Sequence, residues 1–379
     1  MSLHLSETEL QKNLLEWFDL HGRKWIPWKL NSKGYTPLST DILSPYQIWI
    51  AEVMLQQTQL NVVLPYWFKW INVFPSLIDL SQAKQQDVLM LWQGLGYYSR
   101  AKRILQSSKI LINLIPEDKY LDNTFWPVKL EQWMSLPGVG RSTAGSIISS
   151  AFNLPYPILD GNVKRILSRL FACEKTLNKN EKYLWELSSS ILPVENPRDF
   201  NQALMDLGTK VCTRTNPSCS ICPLQNFCIA YIEYDPCDFP KKCMKKIIPY
   251  QEIGIGIIFN REGKLLIDQR LEDSNMGGMW EFPGGKKLAK EPIEKTIERE
   301  IEEELGIDID VGIKLLSFEH AYSNKKLHFT VHICELIAGE PKALASQKFL
   351  WISPEKLCDF PFPAANTKII SELHKHLCI

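Results

Sequence analysis

The sequence predicts a multidomain protein in which an all-α domain precedes an α/β domain. Its 379 residues, 45% of them hydrophobic, suffice for two domains with separate cores. From residue 6 to 230 apolar residues recur every three or four positions, whereas alternating, β-rich segments begin only after residue 250. We therefore expect a helical domain at 1–230, a linker at 231–250 and an α/β domain at 251–379.

Composition and charge narrow the class of protein. No apolar run approaches the roughly 18 residues that a membrane span needs, and the first residues lack the pattern of a signal peptide. We expect a soluble, cytoplasmic protein with no membrane partner. Residues 1–250 hold 27 Lys+Arg and 22 Asp+Glu, and residues 251–379 hold 16 and 21, which add to 43 of each sign. The basic first part permits a nucleic-acid partner, and the acidic second part permits divalent cations.

Two carboxyl groups stand out in the helical part. Glu52 lies in the segment Trp49–Gln59, which is apolar on several sides. Such neighbours disfavour the charged form, so its pKa should rise and it could serve as a general acid; an ordinary exposed helix carboxylate is the alternative. Asp160 directly precedes a predicted helix, where an N-cap is the commonest explanation. One neutral and one ionised carboxyl form the arrangement that cleaves glycosidic bonds.

Two glycine-containing turns lie between predicted helices. In Leu136–Gly140 the glycines let the backbone turn tightly and aim amide N–H groups at a phosphate, although a plain turn would look the same. In Gly94–Tyr98 two tyrosines follow a flexible turn. Such rings can wedge into a base stack, or they can simply pack.

Four cysteines form the pattern C-x6-C-x2-C-x5-C within seventeen residues: Cys212, Cys219, Cys222 and Cys228. Ten cysteines in 379 residues are too sparse for a disulfide scaffold, so the crowding of these four indicates a metal clip. Four thiolates suit either a tetrahedral zinc ion or a 4Fe-4S cluster, and the spacing does not decide between them.

Taken together, these motifs resemble the base-excision glycosylases. IAEVMLQQTQ, GLGYYSRA, LPGVGRSTAG, PILDGNVKR and FNQALMDLG are similar to the adenine DNA glycosylase family, over nearly all of residues 6–230. The resemblance implies a helix-hairpin-helix fold, a 4Fe-4S cluster on the four cysteines, and double-stranded DNA with adenine opposite 8-oxoguanine or guanine as substrate. We expect a monomer associated with the nucleoid.

The same resemblance assigns residue roles. It implies that Glu52 protonates adenine at N7, and that Asp160, assisted by Asn162, stabilises the oxocarbenium ion. The positions implied in DNA contact are Lys24, Trp28 and Gln202 around the flipped adenine, Gln56, Gln57, Thr58 and Tyr97 beside the 8-oxoguanine, and Leu136, Gly138, Gly140 and Ser142 in the hairpin. Related lyases carry a Schiff-base lysine where this chain has Ser142, so a bifunctional glycosylase and lyase is the less favoured alternative.

After the linker the pattern changes to that of an α/β domain. The runs 253–259 and 264–269 predict two strands joined by a hairpin turn at 260–263, followed by a charged helix at 291–305, strands near 326–335 and a last helix from about 367.

This second region contains the whole Nudix signature, GX5EX7REUXEEXGU. Its residues are Gly285, Glu291, Arg299, Glu300, Glu303 and Glu304. The last three glutamates share one helix face and could gather Mg²⁺ around a diphosphate, although a charged, solvent-facing helix also carries such glutamates.

The region also resembles the 8-oxo-dGTP diphosphatases. Arg270 falls where that family contacts nucleotide, and Asn366 where it reads the oxidised purine. Two departures stand against full activity: residues 348–350 lack an acid that many relatives carry before the tryptophan matching Trp351, and the lesion-reading loop of the glycosylases is replaced by one containing Ser323. A noncatalytic module that reads 8-oxoguanine is therefore the alternative to a second hydrolase.

Overall fold

The computed structural model describes residues 7–241, 249–322 and 325–379. The chain divides into two compact units. One spans Met1–Gln82 and Arg103–Met244, and the other spans Ala83–Lys102 and Lys245–Ile379. No helix in the described residues is long and apolar enough to cross a membrane.

Helices and connecting turns make up residues 7–241, and no strand occurs in this range. The predicted all-α character of this part is therefore confirmed. The helices are α1 (Glu7–His21), α2 (Pro45–Leu55), α3 (Leu60–Val73), α4 (Leu77–Ser81), α5 (Gln85–Trp92), α6 (Ser99–Leu111), α7 (Leu130–Met134), α8 (Arg141–Phe152), α9 (Gly161–Leu170), α10 (Glu181–Ser190), α11 (Pro197–Lys210) and α12 (Ile229–Glu233).

Helix α2 lies inside the first unit because it has no polar stripe to turn toward solvent. Eight of its eleven residues are buried, among them Trp49, Ile50 and Met54. It packs against α8, whose buried side chains are mostly small. A Cβ at Gly145 of α8 would lie 2.5 Å from the Pro157 carbonyl oxygen, so the chain leading to Asp160 runs directly over this helix.

A second apolar core holds α1, α9 and α11 together. Helix α9 turns Val163, Ile166 and Leu167 toward this core and begins at Asp160, its N-cap. Because the apolar residues of α9 lie on one face and pack in this core, the orientation of the helix is fixed, and with it the position of Asp160 at its start.

A seven-stranded sheet forms the body of the second unit. The strands are β1 (Tyr250–Phe259), β2 (Leu265–Arg270), β3 (Trp280–Glu281), β4 (Gly284–Lys286), β5 (Asp308–Ala321), β6 (Lys326–Ala338) and β7 (Ser346–Ile352). Their order is β3-β2-β1-β6-β5, with β4 paired to β1 and β7 paired to β2. The β1–β6 pair is parallel and the others are antiparallel.

Two helices cover the sheet from opposite faces, because the residues that alternate along the strands fall into two separate cores. One core contains Ile297, Ile301 and Leu305 of α13 (Ile293–Leu305). The other contains Ile369 and Leu373 of α14 (Ala364–Leu377). The predicted order, a helical domain followed by an α/β domain, is confirmed.

Element ends differ from the sequence expectation by a few residues. Helix α13 starts at Ile293 rather than 291 and α14 at Ala364 rather than 367, in each case directly after a proline at the N-cap. The hairpin turn between β1 and β2 forms as predicted. The backbone N–H of Asn260 donates to the backbone carbonyl of Lys264 at 2.9 Å, and Gly263 has φ +73°. Within the expected linker, 231–241 is described and continues from α12.

Candidate active sites and metal-binding residues

Glu52 is a partly buried carboxyl group on α2. Burial is the main reason that the pKa of Glu52 is raised to about 7, and the negative charge of Asp160 adds to the rise. The Ser146 hydroxyl and the ammonium group of Lys29 both lower this pKa and so oppose the rise. At neutral pH the group is therefore close to half protonated, which is the condition for a general acid. The structure thus places Glu52 within electrostatic reach of Asp160 although the two are distant in sequence.

Asp160 is both the N-cap of α9 and a partly buried acid. Its Oδ1 accepts the Val163 amide at 2.8 Å and its Oδ2 accepts Asn162 Nδ2 at 3.2 Å. Burial raises the pKa of Asp160 above its usual value, and these donors offset only part of that rise. Asn162 is in turn held by Arg165, whose Nη2 donates to Asn162 Oδ1 at 3.0 Å. The two interpretations of Asp160 are compatible, since the helix start is what fixes the carboxylate in place.

Three residues expected around a flipped base line one cavity in the first unit. Trp28 is 5% exposed, Gln202 donates to the Ser150 hydroxyl at 3.0 Å, and Lys24 pairs with Asp19 at 2.6 Å. The cavity therefore offers an aromatic face, an amide and an ammonium to an occupant.

Sequence reasoning missed Lys29, which lines the same cavity. Its side chain is 12% exposed and its Nζ lies 3.8 Å from Asp206 Oδ1. Burial lowers the pKa of Lys29 to about 8, while the charge of Asp206 raises it and that of Arg23 lowers it. Asp206 is itself fully buried and accepts Arg23 Nε at 2.8 Å. A lysine after an apolar turn carries no signal of such burial, so no pattern would have found it.

The loop after α2 presents its residues differently. Gln57 is exposed with φ +59°, whereas Gln56 donates to the Thr143 hydroxyl at 3.3 Å and so ties α2 to α8. The Thr58 hydroxyl donates to the Gln56 carbonyl at 3.4 Å. A left-handed backbone is uncommon for a residue other than glycine and is found at functional loops.

Tyr97, in the second unit, also has a left-handed backbone conformation. It has φ +47° and is 43% exposed, with the Arg100 guanidinium 5.3 Å from its ring. Gly94 and Gly96 on the same turn also have positive φ. The turn thus presents an aromatic ring to solvent.

The hairpin between α7 and α8 has the geometry its glycines suggested. Leu136 is buried, Gly138 has φ +82°, and Gly140 is the N-cap of α8 with open space around it. The Ser142 side chain is engaged within the protein: its Oγ accepts a hydrogen bond from the Leu159 backbone N–H at 2.9 Å. This bond anchors the segment that ends in Asp160.

The four cysteines lie in the loop between α11 and α12 and fit a metal cluster by their surroundings. Arg169 Nη1 donates to Cys212 Sγ at 3.2 Å. Backbone amides of Leu224 and Tyr231 lie against the thiols of Cys222 and Cys228. N–H donors aimed at sulfur are the surroundings that cluster thiolates require. Cys219, the remaining member, lies on the short turn Cys219–Ile221.

Around Arg299, the signature glutamates of the second unit form a connected network. The guanidinium of Arg299 binds the carboxylates of Glu291 and Glu300, each at 2.9 Å, and the carboxylate of Glu303 lies 3.4 Å away. The hydrogen bond from Arg299 is the main reason that the pKa of Glu291 is lowered to about 2. The network leaves Glu303 the most exposed of the three glutamates, at 61%.

The glycine-rich turn before α13 lies against the remaining glutamates. The Gly284 amide donates to Glu304 Oε2 at 3.2 Å. A Cβ at Gly285 would fall 1.8 Å from Glu300 Oε2, so any larger residue there would displace the Glu300 carboxyl group. Burial, with the charge of Glu281, raises the pKa of Glu304 to about 7.

Arg270 and Asn366 occupy separate places in the second unit. Arg270 forms an ion pair with Glu281. Asn366 is 6% exposed on the first turn of α14. Asp268 was not anticipated: it is 5% exposed, and burial with the charges of Glu281 and Glu304 raises its pKa to about 8. Ser323 lies outside the described residues.

Family models match three segments of the chain. Residues 50–190 match the HhH-GPD superfamily of base excision DNA repair proteins, 212–228 the iron-sulfur binding domain of endonuclease III, and 254–372 the NUDIX domain. The matched segments coincide with the helical region, the cysteine loop and the strand-rich region.

Curated relatives extend over most of the chain. An adenine DNA glycosylase of Buchnera aphidicola subsp. Acyrthosiphon pisum (strain APS) is 35% identical over 370 residues, covering 96% of this chain and 97% of that protein. The Mus musculus adenine DNA glycosylase is 30% identical, covering 97% and 78%. A solved thermostable thymine-DNA glycosylase has a TM-score of 0.50 at 24% identity, covering 60% of this chain and 97% of that one, and shares the fold.

Proposed function

This chain belongs to the adenine DNA glycosylase family, and we propose that Glu52 and Asp160 are the pair of carboxyl groups that carries out its reaction. The protein is a DNA N-glycosylase that repairs adenine mispairs by base excision, and it holds an iron-sulfur cluster. The observation that supports the pair is the raised pKa of Glu52, about 7, beside a second acid held by two donors.

The chemistry divides between the two acids. Glu52 in its protonated form donates to N7 of the adenine, which turns the base into a better leaving group; general acid catalysis of this kind contributes about 10²- to 10⁴-fold. Asp160 acts in its ionised form, facing the positive charge that develops on the sugar. Asn162 holds the carboxylate of Asp160 through its 3.2 Å bond. The bond between C1′ and N9 breaks, and the adenine leaves with the proton on N7. Water then adds to C1′ and loses a proton to solvent.

The cavity holds the extruded adenine. Lys24, Trp28 and Gln202 line it, and they supply stacking and polar contacts to a purine. Taking the base out of the duplex costs a few kcal/mol of unstacking. Gln57, an exposed side chain on a left-handed backbone, fills the gap beside the opposite base and offsets that cost.

We propose that the opposite base is 8-oxoguanine or guanine and that the free protein is a monomer in the cytoplasm, associated with the nucleoid. The hairpin supplies a sequence-independent contact to this duplex: the Gly138 and Gly140 turn at the start of α8 directs amide N–H groups outward, where they bind a backbone phosphate. Gel filtration of the free protein, and anisotropy with duplexes carrying A:8-oxoguanine, A:G or A:T, test these points.

The critical experiment for the acid pair replaces Glu52 by glutamine. Single-turnover release of adenine from an A:8-oxoguanine duplex should fall by at least about a hundredfold, because the amide of glutamine cannot protonate N7. Binding of the duplex should persist. Glu131→Gln, at an exposed position of α7, is the matched control and should keep the rate. Substantial turnover by Glu52→Gln would refute the acid role.

Ser142 favours a glycosylase without lyase activity. Its hydroxyl is occupied by the Leu159 amide, and it offers no amine for a Schiff base with the sugar. Borohydride added during turnover should trap no covalent adduct between protein and DNA. A trapped adduct would support the bifunctional alternative.

We propose that the cluster is of the 4Fe-4S type and acts as a structural clip. Bound to Cys212, Cys219, Cys222 and Cys228, it would supply covalent cross-links that fix the loop between α11 and α12. Arg169 supports this loop from the protein side, with its Nη1 on both Cys212 Sγ and the Thr213 carbonyl. Iron and sulfide content and the visible absorption spectrum of the purified protein test the cluster type.

For the second unit we propose hydrolysis of 8-oxo-dGTP with Mg²⁺, resting on the complete signature and its folded arrangement. Glu300, Glu303 and Glu304 would hold the cation, Arg299 and Glu291 keep the helix start in place, and Gly285 lets the turn approach Glu300. Arg270 and Asn366 would contact the nucleotide. When bound, Mg²⁺ would neutralise the diphosphate during attack by water.

Pyrophosphate release from 8-oxo-dGTP by the full-length protein tests this proposal. We expect release that requires Mg²⁺ and that Glu300→Gln abolishes, with Glu302→Gln, on the exposed side of α13, as control. No release from the wild-type protein would leave the alternative, a module that only reads 8-oxoguanine in DNA. Loss of mismatch discrimination in Asn366→Ala would then identify that reading role.

A further inference from the structure

Asp199 is an acid that lines the cavity of the first unit, and no motif of the sequence singled it out. It lies on α11 three residues before Gln202, which lines the same cavity. Its side chain is partly buried, and burial raises its pKa above the usual value. The helix dipole favours an acid in the first turn of any helix. That preference accounts for the residue type but not for its place in the cavity.

The carboxyl group of Asp199 is not engaged by a protein donor. Within residues 7–241, 249–322 and 325–379, no group donates a hydrogen bond to it. The preceding residue, Arg198, is engaged elsewhere. Its guanidinium donates to three backbone carbonyls, and its backbone N–H donates to Asn153 Oδ1 at 3.1 Å. These bonds fix the first turn of α11, so Asp199 is held in place while its oxygens remain available to an occupant of the cavity.

Two ammonium groups accompany Asp199 in the cavity. Lys24 and Lys29 both line it, and the charges of both act on Asp199. Lys29 is also close enough to Glu52 for the two charges to act on each other. The cavity therefore combines a free acceptor with cationic donors, within electrostatic reach of the proposed general acid.

Adenine has an edge that complements this arrangement. Its N6 amino group donates hydrogen bonds, and the ring nitrogen N7 beside it accepts them. Guanine and hypoxanthine carry an oxygen at C6 instead, which accepts hydrogen bonds and is repelled by a carboxylate. Enzymes that flip a base out of the duplex read it by hydrogen bonds to such edges.

We propose that Asp199 is a specificity-determining residue that accepts a hydrogen bond from the N6 amino group of the flipped adenine. The inference rests on the proposed excision of adenine from this cavity, and it adds how the cavity rejects a purine with oxygen at C6. Glu52 would donate to N7 on the same edge of the base. Guanine in this orientation would set its O6 against the carboxylate of Asp199, so its release should be disfavoured.

The test compares two bases that differ only in the amino group. Duplexes carry adenine or unsubstituted purine opposite 8-oxoguanine. The full-length protein is used in excess but below saturation, so that the rate of base release reflects binding as well as chemistry. Asp199→Ala should release adenine about 10- to 100-fold more slowly than the wild type, the effect of losing a hydrogen bond to a charged group. Its release of purine should stay within about twofold of the wild type.

Two further variants separate a hydrogen bond from a general effect of charge or folding. Asp199→Asn keeps an oxygen that accepts, so it should recover part of the adenine rate that Asp199→Ala loses. Glu195→Gln removes an exposed acid just before α11 and should release both bases as the wild type does. Equal losses of the adenine and purine rates in Asp199→Ala would overturn the proposal, and so would an unchanged adenine rate.

A measurement on the wild type alone covers the case in which Asp199→Ala does not fold. Hypoxanthine opposite 8-oxoguanine should be released at least about tenfold more slowly than adenine, because its O6 faces the carboxylate. Release of hypoxanthine as fast as adenine would contradict the proposed role of Asp199 and leave adenine excision intact. A wild type that releases no adenine would refute the proposed function itself, and this inference with it.

Discussion

Replacing Glu52 by glutamine should stabilise the protein, and only at pH values where Glu52 is ionised. The pKa of this carboxyl is raised from 4.5 to about 7, mainly by burial. Between these values the folded protein binds more protons than the unfolded chain. The free energy of unfolding of the wild type therefore falls as the pH rises through this window. Glutamine carries no charge, so the free energy of unfolding of the variant does not fall in this way.

The size of the effect follows from the two pKa values. At about 1.36 kcal/mol for each pKa unit, ionised Glu52 costs the folded protein about 3 kcal/mol at pH 8 and less than about 1 kcal/mol at pH 5. For a domain of roughly 200 residues, 1 kcal/mol shifts the unfolding temperature by about 2–4 °C. The unfolding temperature of Glu52→Gln should thus exceed that of the wild type by about 6–12 °C at pH 8 and by far less at pH 5.

Thermal unfolding followed by tryptophan fluorescence at pH 5, 6, 7 and 8 measures this difference. Glu131→Gln, exposed on α7, controls for the loss of one carboxylate from the surface. An equal gain of Glu52→Gln at all four pH values, or a lower stability of the variant at pH 8, would contradict burial as the cause of the raised pKa of Glu52. A gain that grows with pH would show that Glu52, the proposed general acid, is held at the expense of stability.

Three further predictions concern the same unit. Ser146→Ala removes the hydroxyl that lowers the pKa of Glu52, so the alkaline limb of single-turnover adenine release should move to higher pH; an unmoved limb would show that the hydroxyl does not act on the acid. Arg169→Leu strips a fully buried guanidinium from a cluster thiol and several carbonyls, and should lower both bound iron per chain and the unfolding temperature. Gly138→Ala forces φ +82° on alanine and sets its Cβ 2.9 Å from a neighbouring side chain, so it should cost about 1–2 kcal/mol in urea unfolding. Gly140→Ala, at φ −90° with open space, should cost clearly less.

The sequence was sufficient where function depends on local spacing. The Nudix glutamates stand three and four residues apart, and the folded helix α13 brings Glu300 and Glu304 against the same glycine turn. Asp160 was placed before a helix and caps it. In both cases the relevant geometry is set within a few residues, so a one-dimensional pattern contains it.

Residues that depend on distant neighbours could not be found in this way. Lys29, Ser146 and Asp268 have unremarkable local contexts, and only the packing of other elements buries them. Burial and uncompensated charge are properties of the assembled core, which single-sequence patterns do not encode. The starts of α13 and α14 shifted for a simpler reason, since proline in each case takes the N-cap.

The hydrogen bond between Ser142 and Leu159 bears on how glycosylases and lyases diverge. An amine nucleophile installed at this position would take away the acceptor of the Leu159 amide, and a buried amide left without a partner costs about 1–3 kcal/mol. The peptide unit next to Asp160 would loosen at the moment the new chemistry appears. One side chain therefore cannot serve as anchor and nucleophile together, and a lineage that acquires strand cleavage here must rebuild the support of its carboxylate elsewhere.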